Sequence, residues 1–330
     1  MSEYRLDVAL VGEGGPSGPD DLPRFLHCLD SASLDAGAAL RAATQRYPEP
    51  AAAWFQAEQF ERLAAGLETR LCEETRGPVR VRAGFRCAEP SIAAGVSELD
   101  GSEVVALSLM PFASRAVVER MRSTLHAVES AEAGGRGRDV PLLDAWYADR
   151  GFATAVSRVI AEALDSRVSS EWAVLFAAQS PLEDEADKAD PCLDLLQQAV
   201  AQAVPLVSPG AWSLAFLGGQ NDARWLEPGL AGAARAFAGQ GWRQLLVVPL
   251  GTVCEDPTTR YDMDVVLRDQ AAALGLTYRR TRTVIDTPQF VAAMAEAIVH
   301  YLVLRGDGSC GDESGQRAPR EEEAASAPGA

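Results

Sequence analysis

The residues best placed to do chemistry follow a buried strand in the C-terminal third of the chain. Leu245–Leu250 is an unbroken apolar run, typical of a parallel strand covered on both faces. A polar loop with Cys254, Glu255 and Asp256 comes next. A helix is predicted from about Thr258. Because ligands of open α/β sheets bind beyond the carboxyl ends of the strands, this loop is the first candidate for a site.

A second loop of this kind lies near the N-terminus. The strand predicted at Asp7–Val11 runs into Gly12–Pro16, which carries Glu13 among three glycines, and a helix is predicted at Asp20–Leu29. Strand, glycine-rich turn and helix are the opening of a Rossmann-like unit. The glycines do not follow the G-x-G-x-x-G spacing, so they favour a dinucleotide only weakly. Glu13 is therefore either a solvated loop residue or part of a different kind of site.

Composition narrows the class of partner. The net charge of −17 at pH 7 disfavours binding to nucleic acid and to anionic membranes. No apolar run approaches the roughly 18 residues of a membrane span. The first ten residues lack the basic and apolar regions of a signal peptide. We therefore expect a cytoplasmic protein without an integral membrane segment.

The order of predicted elements indicates the fold class. Strands alternate with helical segments in both halves of the chain, which predicts an α/β protein of two similar, Rossmann-like domains with parallel sheets. The predicted boundaries are 1–150 and 151–304, with a long helix at Asp144–Leu164 crossing between the halves. Residues 305–330 are poor in large apolar residues, so we expect a disordered acidic tail.

Motifs in this order resemble the ferrochelatase family. Residues 247–264 (VVPLGTVCEDPTTRYDMD) are similar to its C-terminal signature, and residues 11–26 (VGEGGPSGPDDLPRFL) are similar to its N-terminal loop. Gly84–Pro90 (GFRCAEP) and Met110–Ser114 (MPFAS) resemble two further motifs. The resemblance covers about residues 5–304. It implies two domains that face each other across a cleft, and a lyase that inserts a divalent metal, iron above all, into a porphyrin for haem biosynthesis.

The resemblance also shows that the family's usual proton-transfer pair is replaced. Gln179 stands where the family has a His, and Thr258 where it has a Glu. Gln cannot take up a proton near neutral pH. If the protein is active, its centre is expected to be rebuilt from Glu13, Glu255 or Asp256. The carboxylates of Glu13 and Asp256 are the candidate metal ligands.

Two other functions remain open at this point. The chain could be a non-catalytic family member that binds a tetrapyrrole or haem, or the same scaffold could be recruited to another small-molecule reaction in secondary metabolism. Both are favoured by the number of replaced positions. The oligomeric state is left open by the sequence.

The resemblance suggests walls for the tetrapyrrole as well. Arg86 lies where the family has an Arg near a ring propionate, although a surface ion pair is the alternative, and Cys87 replaces the neighbouring Tyr. The apolar candidates are Trp54, Met110 and Phe112.

The six cysteines are scattered without C-x-x-C spacing, so the sequence suggests neither a zinc site nor a disulfide framework. An iron–sulfur cluster usually needs four convergent thiolates, and a lone cysteine in the tail argues against one. We therefore expect no tightly bound cofactor. The metal ion would be a substrate.

Overall fold

Four parallel strands from the first half of the chain form one sheet. The computed structural model describes residues 5–28, 54, 57–132, 140–165, 169–179, 191–217, 226, 228–255 and 257–306. The strands are β1 (Leu6–Gly12), β2 (Val79–Phe85), β3 (Glu103–Ser108) and β4 (Leu142–Leu143), in the order β2-β1-β3-β4. Among the described residues of this half, the helices are α1 (Leu22–Cys28), α2 (Ala57–Thr75), α3 (Ile92–Ser97) and α4 (Arg115–Glu132).

A second parallel sheet is built from the second half. Its strands are β5 (Ala173–Gln179), β6 (Ala211–Leu217), β7 (Gln244–Pro249) and β8 (Thr277–Arg280), in the order β6-β5-β7-β8. The helices are α5 (Arg150–Leu164), α6 (Cys192–Val207), α7 (Leu230–Gly239), α8 (Pro257–Arg260), α9 (Arg268–Ala273) and α10 (Pro288–Gly306). Tyr261–Leu267, between α8 and α9, is a π-helix.

Both sheets have the same strand order when counted from their first strand. β1 therefore corresponds to β5, and β3 corresponds to β7. In each sheet the second strand lies on one side of the first and the third strand lies on the other. A reversal of this kind opens a crevice at the carboxyl ends of the first and third strands, where open sheets bind ligands. The α/β fold class with two parallel sheets is thus confirmed.

The first strands are the most deeply buried elements. All seven residues of β1 are buried, and six of the seven in β5 are buried, with Gln179 the exposed exception at its carboxyl end. Strands covered by helices on both faces need such continuous apolar runs. Asp7 is the charged exception within β1. Its carboxylate accepts a hydrogen bond from the Gly101 amide at 2.7 Å and pairs with Arg5 at 2.9 Å.

An aromatic cluster packs elements of the two halves together. It consists of Phe112, Trp146, Tyr147, Phe152 and Phe290, with ring centroids between 3.9 and 6.4 Å apart. The last helix, α10, packs against both α2 and α5. One continuous apolar core therefore includes residues of both sheets.

The helix expected from Asp144 begins later, at Arg150. Trp146–Ala148 forms a 3₁₀ turn instead. The Trp146 Nε1 and the Tyr147 hydroxyl both donate to the Ser108 carbonyl oxygen, at 3.1 and 2.7 Å. Burial raises the pKa of Tyr147 well above its usual value, so the phenol stays protonated and remains a donor. These two bonds to the end of β3 account for the delayed helix start.

The remaining expectations concern the C-terminal tail, the domain boundaries and membrane-spanning helices. Beyond Gly306 the predicted acidic tail lies outside the described residues. The domain boundaries at 150 and 304 stay predictions. In the part of the chain that the structure describes, no helix is long and apolar enough to cross a membrane.

We predict that Phe152→Ala lowers the free energy of unfolding by about 3–5 kcal/mol, the usual cost of deleting a buried aromatic ring. Phe152 is fully buried and its ring lies against those of Tyr147 and Phe290. Chemical denaturation followed by Trp fluorescence measures the change. Val303→Ala on α10 is the control, since Val303 is 55% exposed and its truncation should cost less than about 0.5 kcal/mol. Equal losses in the two variants would contradict this assignment of the core.

Candidate active site

A cavity of about 320 Å³ lies between the two sheets, at the crevices that their strand orders create. Each of the corresponding strands β1, β3, β5 and β7 delivers lining residues from its carboxyl end. The lining residues from these strand ends are Gly12, Glu13, Gly14, Leu109, Met110, Pro111, Phe112, Ala113, Ser114, Gln179, Gly251, Thr252, Val253 and Cys254. Glu13 and Gln179 therefore line one cavity from opposite sheets, as the sequence predicts.

The walls of the cavity are mainly apolar. Met110 and Phe112 line it, as predicted, together with Phe60 and Phe85 of the first half. Phe112 has a φ of 55°, which a non-glycine residue seldom adopts and which commonly marks a functional turn. Trp54 is buried but is not among the lining residues. Its predicted contact with a ligand stays a prediction.

Two thiols line the cavity as well. Cys254 belongs to the loop after β7, which the sequence had marked as a site. Cys192 opens α6, and its sulfur lies 2.7 Å from the Phe112 carbonyl oxygen. Nothing in the sequence pointed to Cys192, because it starts a helix well after β5 and stands outside every recognised motif.

Glu13 is held in place by β2 as well as by its own strand. Gly12 pairs with Phe85 in the parallel register of β1 and β2, so the next residues, Glu13 and Arg86, are neighbours. The Arg86 Nε donates to the Glu13 Oε2 at 2.6 Å, and each side chain is only 14% exposed. The Cys87 amide donates to the Glu13 carbonyl oxygen at 2.9 Å. Glu13 is thus a paired, well-positioned carboxylate at the cavity wall.

The loop can approach β2 this closely because Gly14 follows Glu13. Gly14 has a φ of 80°, and a Cβ atom there would lie 2.5 Å from that of Ala88. Only glycine adopts this conformation without strain and leaves room for the neighbouring backbone. Gly14 therefore helps to position Glu13.

Arg86 does not have the surroundings that the sequence suggested. It is not among the residues that line the cavity. Besides Glu13 it bonds the Cys28 carbonyl oxygen through Nη1 at 3.0 Å. Its Nη2 is buried and has no hydrogen-bond partner among the described residues. Arg86 thus forms an ion pair, as the alternative from the sequence proposed, but the pair is largely buried and not at the surface. A role of Arg86 toward a ligand carboxylate stays a prediction.

The structure corrects the expectation for Cys87. Cys28 and Cys87 form a disulfide bond, which the scattered cysteines of the sequence did not indicate. The two are 59 residues apart in sequence, and only the packing of α1 against the loop after β2 brings them together. Cys87 is buried in this bond and does not line the cavity.

Gln179 ends β5 and faces the cavity with an amide. Gly251 allows the loop after β7 to pass close to it, since a Cβ atom there would lie 2.7 Å from the Ala178 Cα and 3.0 Å from the Gln179 nitrogen. An amide at this point can donate and accept hydrogen bonds but cannot exchange a proton near neutral pH. The second sheet therefore supplies no proton acceptor through this residue.

Glu255 belongs to an ion-pair network rather than to the cavity wall. Its carboxylate oxygens accept from the Arg280 Nη1 at 2.9 and 3.1 Å, and Arg280 also pairs with Asp264 at 2.6 Å. Burial alone would lower the pKa of Arg280, but the carboxylates of Glu255 and Asp264 outweigh it and raise that pKa. The network ties the loop after β7 to β8 and the π-helix. A direct catalytic role for Glu255 stays a prediction.

Two other candidates cannot be placed. Asp256 lies outside the described residues. Thr258 lies in α8, which confirms the predicted helix, but its side chain is outside the described set.

Comparison with known proteins agrees with this fold. A family model described as Ferrochelatase matches residues 7–302. The chain belongs to the ferrochelatase family. Its relatives are distant: a ferrochelatase of Geobacter sp. strain M21 is 28% identical over 73% of this chain and 76% of its own length. A ferrochelatase of Geotalea daltonii is 27% identical over 93% of this chain and its full length.

A solved structure supports the same fold at lower identity. It is that of CbiX, described as the terminal enzyme for biosynthesis of siroheme in denitrifying bacteria. It has a TM-score of 0.53 and 18% identity, and the match covers 90% of this chain and 99% of CbiX. At this identity the likeness shows a shared two-domain chelatase fold.

We predict that Arg86→Met destabilises the protein by about 2 kcal/mol, because it leaves the largely buried Glu13 carboxylate unpaired. Glu13→Gln should cost less, and the double variant should cost less than the sum of the two single changes. A coupling energy of about 1–3 kcal/mol is expected for side chains in direct contact. Denaturation midpoints of the four proteins give this energy. Strict additivity would show that the two side chains are not paired in solution.

Proposed function

We propose that this protein inserts a divalent metal ion into a tetrapyrrole bound in the cavity between the two sheets. In this reaction two pyrrole N–H bonds break, the metal forms bonds to the ring nitrogens, and two protons leave. The observation that carries the proposal is Glu13. Among the described residues that line the cavity, it is the only carboxylate. Membership of the ferrochelatase family supports the reaction class.

Glu13 is the proposed proton acceptor in place of the imidazole missing at position 179. The Arg86 Nε bonds Oε2, and no described residue bonds Oε1, so we propose that Oε1 accepts a pyrrole proton or binds the incoming metal. A carboxylate oxygen is a hard ligand that suits iron and similar divalent ions. The base would thus act from the first sheet, whereas the family's His position lies on the second.

The metal is proposed to be a transient substrate. Among the described residues no group of three or more His, Cys, Asp or Glu side chains is arranged to hold a metal ion. An ion delivered to the macrocycle needs few protein ligands, because the four ring nitrogens complete its coordination. Glu13 is sufficient for that role at the cavity wall, and Asp256 is a second candidate from the loop after β7.

The tetrapyrrole is proposed to lie between the apolar walls. Met110 and Phe112 would contact one part of the ring, and Gln179 would offer its amide to another. A cavity of about 320 Å³ is at the lower end of the range for small-molecule sites, which is about 300–1,000 Å³. A large macrocycle would therefore enter with its edge toward the interior and its acidic substituents toward solvent.

Binding without metal insertion is the second candidate function. The Glu13–Arg86 ion pair favours it, because the Arg86 Nε already occupies one oxygen of the carboxylate, at 2.6 Å. The replacement of the family's His by Gln179 favours it too. The two functions share a binding site and differ in turnover, so the experiments below separate them.

We predict that Glu13→Gln abolishes metal insertion, by at least about 100-fold, while porphyrin affinity changes by less than about threefold. The amide keeps the size of the side chain and loses the base. Insertion of Fe²⁺ into protoporphyrin IX under nitrogen is followed by visible absorbance, and binding by quenching of Trp fluorescence. Glu119→Gln, at an exposed position on α4, is the matched control and should leave both unchanged. Full activity of Glu13→Gln would remove Glu13 from the mechanism.

Restoring the family pair tests the second candidate. If the natural protein binds porphyrin without inserting metal, Gln179→His with Thr258→Glu should create measurable insertion, because it returns an imidazole and a carboxylate to the second sheet. If the natural protein is active through Glu13, it should insert metal without the double change. The double change should then alter only the pH dependence of the insertion rate. The same absorbance assay reads both outcomes.

A further inference from the structure

The described apolar contacts of helix α1 are concentrated at one place. Its apolar residues Leu22, Phe25 and Cys28 form a small cluster with Cys87, which is separate from the main core. A helix of only seven residues has little stability of its own. The bond between Cys28 and Cys87 joins it covalently to the loop after β2.

This disulfide is directly beside the Glu13–Arg86 ion pair. The Cys87 sulfur lies 3.5 Å from the Glu13 Oε2. A disulfide sulfur carries no hydrogen, so this contact is not a hydrogen bond in the oxidised form. On the other side of the pair, Arg86 donates to the Cys28 carbonyl oxygen at 3.0 Å. Arg86 is thus held between Glu13 and the first cysteine of the bond, and the second cysteine adjoins Glu13.

We propose that the Cys28–Cys87 disulfide positions Glu13 through Arg86, and that its reversible reduction switches metal insertion. This inference rests on the function proposed for Glu13. In the oxidised form, α1 keeps the Cys28 carbonyl against Arg86, and Arg86 keeps its Nε on the carboxylate. In the reduced form, α1 is free to move away. Arg86, whose Nη2 is already unbonded among the described residues, then loses a further bond.

Reduction also changes the chemistry next to the carboxylate. The Cys87 sulfur gains a proton and becomes a donor that can compete with Arg86 for the Glu13 Oε2, or it loses that proton and repels the carboxylate. Either form weakens the arrangement that holds Glu13 at the cavity wall. Reduction of the two cysteines is therefore expected to change the position of the Glu13 carboxylate, which is the proposed base.

The reductant that this step requires is a dithiol. One of its thiolates attacks the Cys28 sulfur, which belongs to the more exposed of the two residues. The bond between Cys28 and Cys87 breaks, and Cys87 leaves with the electron pair and takes up a proton. The second thiol of the reductant then attacks the mixed disulfide and releases Cys28 as a thiol. Two electrons pass from the dithiol, which becomes a disulfide.

The test compares oxidised and dithiothreitol-reduced protein, each desalted under nitrogen. Alkylation and mass spectrometry should find two more thiols after reduction, on the peptides of Cys28 and Cys87. We expect kcat for Fe²⁺ insertion into protoporphyrin IX to fall roughly tenfold on reduction, with KM for the porphyrin within about twofold, and to recover on reoxidation. Cys28→Ser should match the reduced protein in both states. Cys72→Ser, at a half-buried free thiol, should keep the response.

The hydrogen-exchange rates of backbone amides near Glu13 test the proposal independently of enzymatic activity. The Cys87 amide bonds the Glu13 carbonyl oxygen and the Arg86 amide bonds the Gly12 carbonyl oxygen, so their protection reports the position of the Glu13 loop. Both should exchange at least about tenfold faster after reduction. If only residues 22–28 lose protection, the disulfide stabilises α1 without positioning the Glu13 loop, and the proposal is wrong. The absence of a disulfide in the oxidised sample would overturn it as well.

These outcomes also separate this inference from the proposed function. If neither redox state inserts metal but the Arg86 and Cys87 amides respond to reduction, the proposed activity fails and the positioning of Glu13 stands. If insertion is equally fast in both states, the activity stands and the switch does not.

Discussion

The parallel pairing of β1 with a strand on each side determines where this protein can act. Because β2 and β3 lie on opposite sides of β1, their connections leave the carboxyl end of β1 uncovered, and the same holds for β5 between β6 and β7. The two openings face each other, and their loops line one cavity. The register of β1 with β2 then places Arg86 beside Glu13. The geometry of the site thus follows from backbone pairing before any side chain is considered.

How far the sequence predicts this site depends on which interactions are local. Buried runs such as that of β7, and the loops that follow them, could be recognised from sequence, and so could Met110 and Phe112 as wall residues. The Glu13–Arg86 pair joins residues 73 positions apart. The sequence singles out both residues and gives Arg86 an ion pair as one alternative, but it does not identify Glu13 as the partner. Knowledge of the β1–β2 register would have been enough to pair them, since Gly12 lies opposite Phe85.

Other features could not be predicted because nothing local encodes them. Cys28 and Cys87 meet only because α1 folds back over the loop after β2. The sequence neighbours of Glu255 suggest a site in the loop, whereas Glu255 pairs with Arg280 of β8. In each case a charged or reactive side chain is satisfied by a residue far along the chain. A candidate catalytic residue identified from sequence therefore still needs its partner to be located.

Two requirements conflict at Glu13. Its carboxylate must be stabilised beside an apolar cavity, and it must also remain available to a ligand. A lone carboxylate beside an apolar cavity would lose its hydration whenever a ligand excluded water, at a cost of several kcal/mol. Pairing with Arg86 reduces that cost, because the two side chains enter the low-dielectric environment together. The same pairing occupies one of the two carboxylate oxygens, Oε2, so that oxygen is not available to a ligand. A protein that only binds a tetrapyrrole gains from a permanent pair. A protein that inserts metal needs the Glu13 Oε1 within reach of the ring while Arg86 holds Oε2, so the position that Arg86 imposes on Glu13 decides between the two functions.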